Sequence, residues 1–318
     1  MKKVYCIGEI LIDFVAEHQG KNLTEARQFV KKAGGAPANV AAAIAKLGGQ
    51  SFFVGAAGND PFGHFLKETL INHKVSIQFM QQYHTFTTLA FVSLSENGER
   101  DFVFNRGADA DLTYDKNVSS QFYDHILHFG SATAFLEGSL KTTYRTYLDR
   151  AVAGNCLICF DPNYRSDLWK NNEEAFKDSC YTFLKKCHLA KLSLEEALLL
   201  SNTNMLETAL KNLRAHSQAV LCITLGEKGT LVSTPEFTMT VPSILVKPVD
   251  TTGAGDAFIG CLLKELADIS HPLAVLTNQD LLKNLVKRAN AFGALTTTRL
   301  GAIEALPSKE MLDTINFQ

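Results

Sequence analysis

The sequence predicts an α/β fold with a mostly parallel central sheet, helices on both faces of that sheet, and a small second β-sheet. Through most of the 318 residues, short apolar segments alternate with amphipathic ones. Buried parallel strands and their covering helices follow each other in this order. Two regions, about 11–33 and 87–106, alternate like strands with no helix between them. Such strands are antiparallel in character and do not fit inside a parallel sheet, so they predict the second sheet.

The first predicted strand lies within residues 1–14, where two lysines precede an apolar run. This stretch superficially imitates a signal peptide, but Glu9 and Asp13 interrupt it and no small-residue cleavage site follows. Further strands are predicted at 51–58, 125–135, 156–163, 188–193 and 219–226, with a strand-like segment at 244–250. Helices are predicted at 61–75, 141–154, 173–186, 194–202, 256–266 and 280–297.

The second sheet is predicted from two insertions, at about 12–33 and 87–108. In the second insertion, Asn97-Gly98 separates two strand-like runs, and this dipeptide favours a hairpin turn. We expect the insertions to form a lid over the carboxyl edge of the main sheet, where open α/β sheets bind their ligands. No internal repeat or low-complexity linker interrupts the sequence. Residues 1–318 are therefore interpreted as a single domain.

Composition restricts the class of protein. A hydrophobic content of 46% and a charged content of 20% are typical of a globular protein with a sizeable core. The net charge of −2 supports binding neither to nucleic acid nor to an anionic membrane. No apolar run approaches the ~20 residues that a membrane span requires. The seven cysteines are scattered through apolar segments and are odd in number, which favours a reducing cytoplasm over a disulfide framework.

Two spacings imitate metal or redox motifs. Cys156 and Cys159 form a C-x-x-C pair, and His125 and His128 form an H-x-x-H pair. Both pairs lie in short apolar runs typical of buried strands, and neither has a matching second pair elsewhere. Packing within strands is therefore favoured over a zinc or redox role.

The sequence DTTGAGDAFIG, residues 250–260, joins the strand-like segment to a predicted helix. Glycines allow successive backbone N–H groups to converge, and the start of the helix adds positive potential, so the loop is a candidate anion hole. The carboxylate of Asp256 stands at its edge. An equally open alternative at this stage is an ordinary helix start, with Asp256 as the capping carboxylate.

A second glycine-rich stretch, AGGAPANVAAAIAKLGG, begins at Ala33. Its glycines permit close approach of the backbone, and Pro37 is typical of a helix start. Asn39 is a polar group in an alanine-lined first turn, and its donor and acceptor would suit a polyhydroxylated ligand. The alternative is that Asn39 only ties down its own loop.

Several known nucleotide motifs are missing. The sequence contains no G-x-x-x-x-G-K-[ST], no G-x-G-x-x-G after a strand, and neither H-R-D nor D-F-G. P-loop, protein-kinase and dinucleotide-binding mechanisms are therefore unsupported.

Together, GGAPANVAAAIAKLGGQSFFVGAAGNDPFG and DTTGAGDAFIG resemble the two signatures of the ribokinase-like (PfkB) carbohydrate kinases. Supporting matches include GEILIDF, DPNYRSDLW, KLSLEE and ITLGEKG, and the resemblance covers essentially all 318 residues. It implies a ribokinase-like three-layer sandwich with a β-sheet lid. It also implies transfer of the γ-phosphoryl group of ATP to a sugar hydroxyl, with Mg²⁺ and possible activation by K⁺.

The resemblance implies a role for each matching residue. Asp256 corresponds to the general base, and Gly253, Ala254 and Gly255 to the anion hole. Sugar contacts are implied for Asp13, Gly34, Gly35 and Asn39. Nucleotide, phosphate or magnesium roles are implied for Lys191, Ser193, Glu196, Thr224, Gly226, Gly229 and Asn290. A monovalent cation site, formed mostly by backbone carbonyls, is implied for Asp250, Thr252, Thr296, Arg299 and Gly301. Ala305 stands where relatives may offer a hydroxyl.

The choice of sugar depends on fewer residues. DPNYRSDLW, GAIEALP and NRGADADL look most like fructokinases, which implies sugar contacts for Phe104, Arg106, Asn163 and Arg165. The alternative is a 2-keto-3-deoxygluconate kinase, because two arginine forks would suit its carboxylate. Ribokinase itself is disfavoured because GGAPAN departs from GGKGAN. An inactive sugar sensor on the same scaffold is an alternative from another class. The apolar, edge-rich face of an open lid also predicts a homodimer through the lid.

Overall fold

The computed structural model describes residues 1–18, 20–94 and 100–315. Its strands are β1 (Lys3–Ile7), β2 (Leu11–Ala16), β3 (Phe29–Gly34), β4 (Gln50–Val54), β5 (Ala56–Gly58), β6 (Gln81–Tyr83), β7 (Leu89–Leu94), β8 (Arg100–Asn105), β9 (Ile126–Gly130), β10 (Leu157–Asp161), β11 (Leu189–Ser193), β12 (Val220–Thr224), β13 (Thr230–Ser233) and β14 (Thr238–Val241). Its helices are α1 (Ala36–Lys46), α2 (Pro61–Asn72), α3 (Lys116–Ser119), α4 (Ser139–Ala153), α5 (Ser166–Trp169), α6 (Glu173–Leu184), α7 (Leu194–Ser201), α8 (Leu206–His216), α9 (Ala254–Ala267), α10 (Pro272–Val275), α11 (Gln279–Thr296) and α12 (Lys309–Asp313).

The central sheet has eight strands in the order β14-β13-β12-β11-β10-β9-β1-β4. All neighbours from β12 to β4 are parallel, and the edge strands β13 and β14 are antiparallel. One apolar core packs the sheet against α1, α9 and α11. The other packs its opposite face against α4, α6, α7 and α8. The prediction of a three-layer sandwich with a mostly parallel sheet is confirmed.

A second sheet has four strands in the order β3-β2-β7-β8. The pairs β2–β3 and β7–β8 are antiparallel, as the sequence predicts, and a parallel β2–β7 pair joins them. Its strands therefore come from the two predicted insertions. The Asn97-Gly98 turn lies outside the described residues. The single-domain interpretation and the closing of this sheet as a lid stay predictions.

Two strand predictions are wrong in part. The segment at 244–250 forms no strand, although its composition is apolar. Pro248 lies within it and Pro242 two residues before it, and neither proline can donate a backbone N–H to a sheet. Leu245 and Val249 are 90% and 61% exposed. The predicted strand at 51–58 is divided at Gly55, because its second half, β5, pairs with β6 in a separate two-stranded sheet.

The cysteines and the predicted metal-like pairs are packed into the sheet and its helices. All seven cysteines are free and buried. His128 and Cys159 are fully buried neighbours on β9 and β10. Within the described ranges, no group of three or more His, Cys, Asp or Glu side chains could hold a metal ion. Over the same residues, no helix is both long and apolar enough to cross a membrane.

Close packing of α1 on α9 depends on Gly260. A Cβ at this position would lie 2.5 Å from the Cβ of Ala43 and 3.1 Å from the carbonyl oxygen of Val40. Any side chain there would therefore force the two helices apart.

We expect Gly260→Val to lower the free energy of unfolding by about 2 kcal/mol, because overpacking outweighs the small gain in helix propensity. Urea unfolding followed by circular dichroism measures this change. Lys283→Val on the exposed side of α11 is the control, expected within about 0.5 kcal/mol of the parent protein. Equal midpoints for the two variants would contradict the packing role of Gly260.

Candidate active site

The predicted base, Asp256, lies in the first turn of α9 and contacts the first turn of α1. Its Oδ2 accepts a hydrogen bond of 2.8 Å from Nδ2 of Asn39, 217 positions earlier in the chain. Asn39 therefore orients Asp256, and the alternative that it only ties down its own loop is wrong. Oδ1 of Asn39 is buried without a partner among the described residues, which leaves an acceptor for a ligand hydroxyl. Asp256 does not cap α9, because the N-cap is Gly253 and no side chain makes the capping bond.

The predicted anion hole is the turn that precedes Asp256. Gly253 has a φ of 77°, and a Cβ on it would lie 2.6 Å from the Cβ of Ala302, so this position requires glycine. Within the described residues, the amides of Gly253 and Gly255 donate to no backbone acceptor. The amide of Ala254 donates to the carbonyl of Thr251 over a long 3.3 Å. The turn thus presents weakly engaged donors beside a carboxylate.

A buried ion pair lies under this turn. Nζ of Lys191 is 3.2 Å from Oδ2 of Asp161, and both side chains are almost completely buried. Burial raises the pKa of Asp161, although Lys191 opposes the shift. Burial also raises the pKa of Asp256, opposed by the Lys191 ammonium and the Asn39 hydrogen bond. A carboxyl with a raised pKa is a stronger base, as the predicted role of Asp256 requires.

Glu196 and Ser193 form a capping box at the start of α7. The Glu196 carboxylate accepts from the amides of Ser193 at 2.7 Å and Tyr164 at 2.8 Å, and the Ser193 hydroxyl oxygen accepts from the Glu196 amide. An ordinary helix start therefore accounts for the bonds between Glu196 and Ser193, but not for the bond from the Tyr164 amide. These bonds also fix the carboxylate, so a further role toward magnesium is compatible with them and stays a prediction.

The predicted sugar side begins with Asp13 and two glycines. A Cβ on Gly34 would lie 2.1 Å from Oδ2 of Asp13, so only glycine lets this carboxylate take its place. Gly35 has a φ of 105°, and a Cβ on it would lie 2.6 Å from the carbonyl oxygen of Glu9. The glycine pair therefore lets the end of β3 pass close to β2, and the start of α1 pass close to the segment between β1 and β2.

Asn163 and Arg165 follow the end of β10. Asn163 is buried with a φ of 49°, and its Oδ1 has no partner among the described residues. Arg165 is exposed, donates to the carbonyl oxygen of Tyr164 at 3.0 Å, and lies close enough to Asp256 to lower its pKa. Arg165 is therefore placed near the predicted base, whereas Asn163 lies next to Gly130, where a Cβ would be 3.1 Å from its Oδ1.

Arg106 is placed differently from its predicted sugar contact. Its guanidinium donates to Asp109 at 3.2 Å, to the carbonyl of Thr133 at 3.1 Å, and to the carbonyl of Glu137. These bonds tie the end of β8 to the segment after β9, and a sugar contact would require some of them to break. Phe104 is half-buried and stacks on Phe102, with ring centroids 6.0 Å apart.

The predicted nucleotide residues lie around the β12–β13 turn. Thr224 ends β12, and its hydroxyl donates to the carbonyl of Leu192. Gly226 and Gly229 both have positive φ, and a Cβ on Gly229 would lie 2.1 Å from the carbonyl oxygen of Val241.

Asn290 is saturated by protein groups. Its Oδ1 accepts from Thr230 at 2.6 Å, and its Nδ2 donates to the carbonyls of Val241 and Pro242. It therefore flanks the predicted nucleotide site and fixes the segment after β14.

The predicted cation loops are joined by Asp250. Its carboxylate accepts from the amides of Thr252 and Gly301, both at 2.9 Å. Although burial opposes the shift, these bonds hold the pKa of Asp250 below its ordinary value. Thr296 is buried and bonded to the carbonyl of Phe292, whereas Arg299 is exposed with its guanidinium 4.0 Å from Sδ of Met311. The two loops are held together, and the ion stays a prediction.

Two buried acids near the site were missed from the sequence. Asp161 lies in the quoted DPNYR segment and Glu9 in GEILIDF. Each is an acid at or just after the carboxyl end of an apolar strand, which is the signal that could have identified them. Neither carboxylate could be assigned a partner from spacing, since Lys191 lies 30 residues from Asp161.

Comparisons with known proteins extend these observations. The profile of pfkB family carbohydrate kinases matches residues 1–309. Probable fructokinase-4 of Arabidopsis thaliana is 38% identical over 318 residues, covering 98% of this chain and 96% of the relative. A double mutant of fructokinase from Vibrio cholerae O395, with fructose, ADP and potassium bound, has a TM-score of 0.85 at 32% identity, covering 98% and 97%. Fructokinase from Xylella fastidiosa with bound ATP has a TM-score of 0.86 at 30% identity, covering 99% and 98%.

Glu9 offers a test of the buried charge near the site. Neither of its carboxylate oxygens has a hydrogen-bond partner of normal geometry among the described residues. Burial raises its pKa from 4.5 to about 7, with Asp109 adding to the shift and Arg165 opposing it. The folded state therefore holds this proton more tightly than the unfolded state, and stability falls as pH rises from about 4.5 to about 7.

We expect Glu9→Gln to be more stable than the parent protein by up to about 3 kcal/mol at pH 8, and equally stable at pH 4. Urea unfolding at a series of pH values measures the difference. Lys283→Val serves again as the control, with a pH-independent effect. A Glu9→Gln effect that is the same at pH 4 and pH 8 would contradict the buried, shifted carboxyl.

Proposed function

The chain belongs to the pfkB family of carbohydrate kinases, and on this basis we propose that it phosphorylates D-fructose to fructose 6-phosphate with ATP. The observation that carries the proposal is the Asp256 carboxylate, held by Asn39 beside the weakly engaged amides of Gly253 and Gly255. A base next to an anion site is the arrangement that phosphoryl transfer to an alcohol needs. The relatives named as fructokinases support fructose as the acceptor.

In the proposed mechanism, Asp256 accepts the proton of the attacking hydroxyl as the new oxygen–phosphorus bond forms, while the bond between the γ-phosphorus and the β,γ-bridging oxygen breaks and ADP leaves. The alcohol becomes a better nucleophile in this way, because its own pKa lies far above neutrality. The amides of Gly253, Ala254 and Gly255, with the start of α9 behind them, stabilise charge on the transferring phosphoryl oxygens. For Ala254 this requires its long bond to Thr251 to lengthen or break.

We propose Mg²⁺–ATP as the phosphoryl donor. Thr224, Gly226 and Gly229 would hold the nucleotide, and Glu196 would orient magnesium through water. The carboxylates of Asp161, Glu196 and Asp256 all act on the single ammonium of Lys191. Because negative groups outnumber positive ones here, the site suits a bound cation. When bound, Mg²⁺ would neutralise charge on the phosphates. The joined loops around Asp250 support K⁺ as an activator.

The structure bears on the choice between fructose and an acidic sugar. The carboxylate of 2-keto-3-deoxygluconate would suit two arginines, but Arg106 is bound to Asp109 and two carbonyls. Only Arg165, of this predicted pair, is exposed beside Asp256. With a single guanidinium at the site, a neutral ketohexose fits better than an acidic sugar, whose carboxylate would suit two arginines.

We further propose that the four-stranded sheet acts as a lid and pairs with a second copy in a cytoplasmic homodimer. The edge strands β3 and β8 carry Val30 and Val103, which are 44% and 53% exposed on opposite faces of the sheet, so an apolar contact is supported at these edges. Closure would exclude water and limit wasteful hydrolysis of ATP. Sedimentation at micromolar concentration tests the dimer, and a monomeric mass would contradict it.

We expect Asp256→Asn to lower kcat by at least about 10³-fold while ATP binding changes little, because the base is lost and the amides remain. A coupled ADP-release assay measures turnover, and calorimetry with ATP measures binding. Near-parent turnover in this variant would contradict the role of Asp256.

A panel of acceptors tests the substrate. ATP consumption is measured with D-fructose, 2-keto-3-deoxygluconate, ribose and a nucleoside, with Mg²⁺ and either K⁺ or Na⁺. We expect the highest kcat/KM with fructose, and faster turnover in K⁺. Preference for the keto acid would replace fructose with the alternative. If the parent protein consumes ATP no faster than Asp256→Asn with any of these acceptors, an inactive sugar sensor would be favoured.

A further inference from the structure

The ion pair of Asp161 and Lys191 lies directly beneath the glycine-rich turn. Cys159 pairs with Leu189 across β10 and β11, and both contribute to the core under α9. Asp161 and Lys191, two residues further along, share that face of the sheet. A Cβ on Gly255 would lie 2.9 Å from Nζ of Lys191. The ammonium therefore lies immediately under the turn, and glycine permits this close approach.

Stability is a weak reason for this ion pair: the nearby carboxylates favour the ammonium, but burying all of these charges is costly. The start of a helix carries positive potential, so α9 disfavours a cation at its N-terminus. Burying the ion pair is at best neutral compared with apolar residues of similar volume. The turn amides, the helix start and the ammonium are the positive groups of a site that also holds the carboxylates of Asp161, Glu196 and Asp256, and they are the groups that an anion would contact or approach.

The Lys191 ammonium uses only part of its capacity to donate hydrogen bonds. Its Nζ has three N–H donors, and Asp161 is its one hydrogen-bonding partner among the described residues. The ammonium is thus anchored from one side, with donor capacity left over. The carboxylate of Asp161 in turn accepts from no other donor within the described ranges. The geometry of the pair therefore holds the ammonium against the underside of the turn, at Gly255.

We propose that Lys191 and Asp161 are positioning residues for phosphoryl transfer: Lys191 gives the anion hole a fixed positive charge from below, and Asp161 holds that charge in place. This inference rests on the proposed function. It adds Asp161 to the residues of the site and gives Asp161 and Lys191 different roles. Lys191 acts on the transition state through the turn, and Asp256 remains the base.

The test compares Asp161→Asn, Lys191→Met and the double variant with the parent protein. Each single change leaves one buried charge without its partner and is expected to destabilise the fold, whereas the double variant removes both charges and is expected to recover stability. We expect kcat to fall about 10²-fold in Lys191→Met and to stay that low in the double variant, with little change in the KM for the sugar.

Lys177→Met is the matched control. Lys177 is also a buried lysine, paired with Glu173 at 2.8 Å and Glu174 at 3.0 Å on α6, and it belongs to none of the predicted sites. It is expected to lose stability and keep the parent kcat. If kcat recovers together with stability in the double variant, the pair is only structural and the inference is overturned. Parent-like kcat in Lys191→Met overturns it as well.

A second measurement needs no sugar turnover. Binding of ADP with aluminium fluoride, which mimics the transferring phosphoryl group, is expected to weaken at least about tenfold in the double variant, while ADP alone binds as in the parent. Equal binding of the mimic overturns the inference. A parent protein that phosphorylates no sugar contradicts the proposed function, and the binding comparison still decides whether the pair supports an anion.

Discussion

The hydrogen bond between Asn39 and Asp256 is the contact on which the candidate site depends. It joins residues 217 positions apart, so it forms only when α1 and α9 lie side by side at the same end of the sheet. Gly260 permits that packing, because any Cβ there would meet α1. Gly34 and Gly35 position the start of α1, because they let the chain pass close to Asp13 on β2 and to the carbonyl of Glu9. Small residues at the contact between α1 and α9 thus allow the close packing that places the Asp256 carboxylate.

The charge balance around that carboxylate explains several features together. Burial raises the pKa of both Asp256 and Asp161, and Lys191 opposes the shift in each. The capping box and the amide of Tyr164 hold Glu196 in place nearby. In a buried layer, the position of a single ammonium therefore influences both the base and the turn above it. Three carboxylates, those of Asp161, Glu196 and Asp256, thus lie close to one ammonium. A phosphate that binds here adds further negative charge, and the turn amides, Lys191 and a bound cation are suited to offset it.

The four-stranded sheet connects the site to the rest of the molecule in an unexpected way. Arg106 ties β8 to the segment after β9 through Asp109 and two carbonyls. The carboxylate of Asp60 similarly accepts from Thr87, just before β7, and from Gly63 in α2. These bonds anchor the base of the sheet, while its outer residues Val30 and Val103 are exposed. The sheet is thus fixed to the central body at this end, and its closing as a lid stays a prediction.

The sequence by itself determined the fold class, the family, and the identity of the chemical groups in the two glycine-rich loops. These features depend on local spacing: the alternation of strands and helices, and turns whose backbone requires glycine, as at Gly253 and Gly35. Tertiary structure alone decided which distant groups meet. Asn39 binds Asp256, Lys191 binds Asp161, Arg106 is engaged by Asp109, and the apolar segment at 244–250 lies exposed outside any sheet. The physical reason is that a side chain's partner depends on how helices and sheets pack, which the spacing of residues along one segment does not specify.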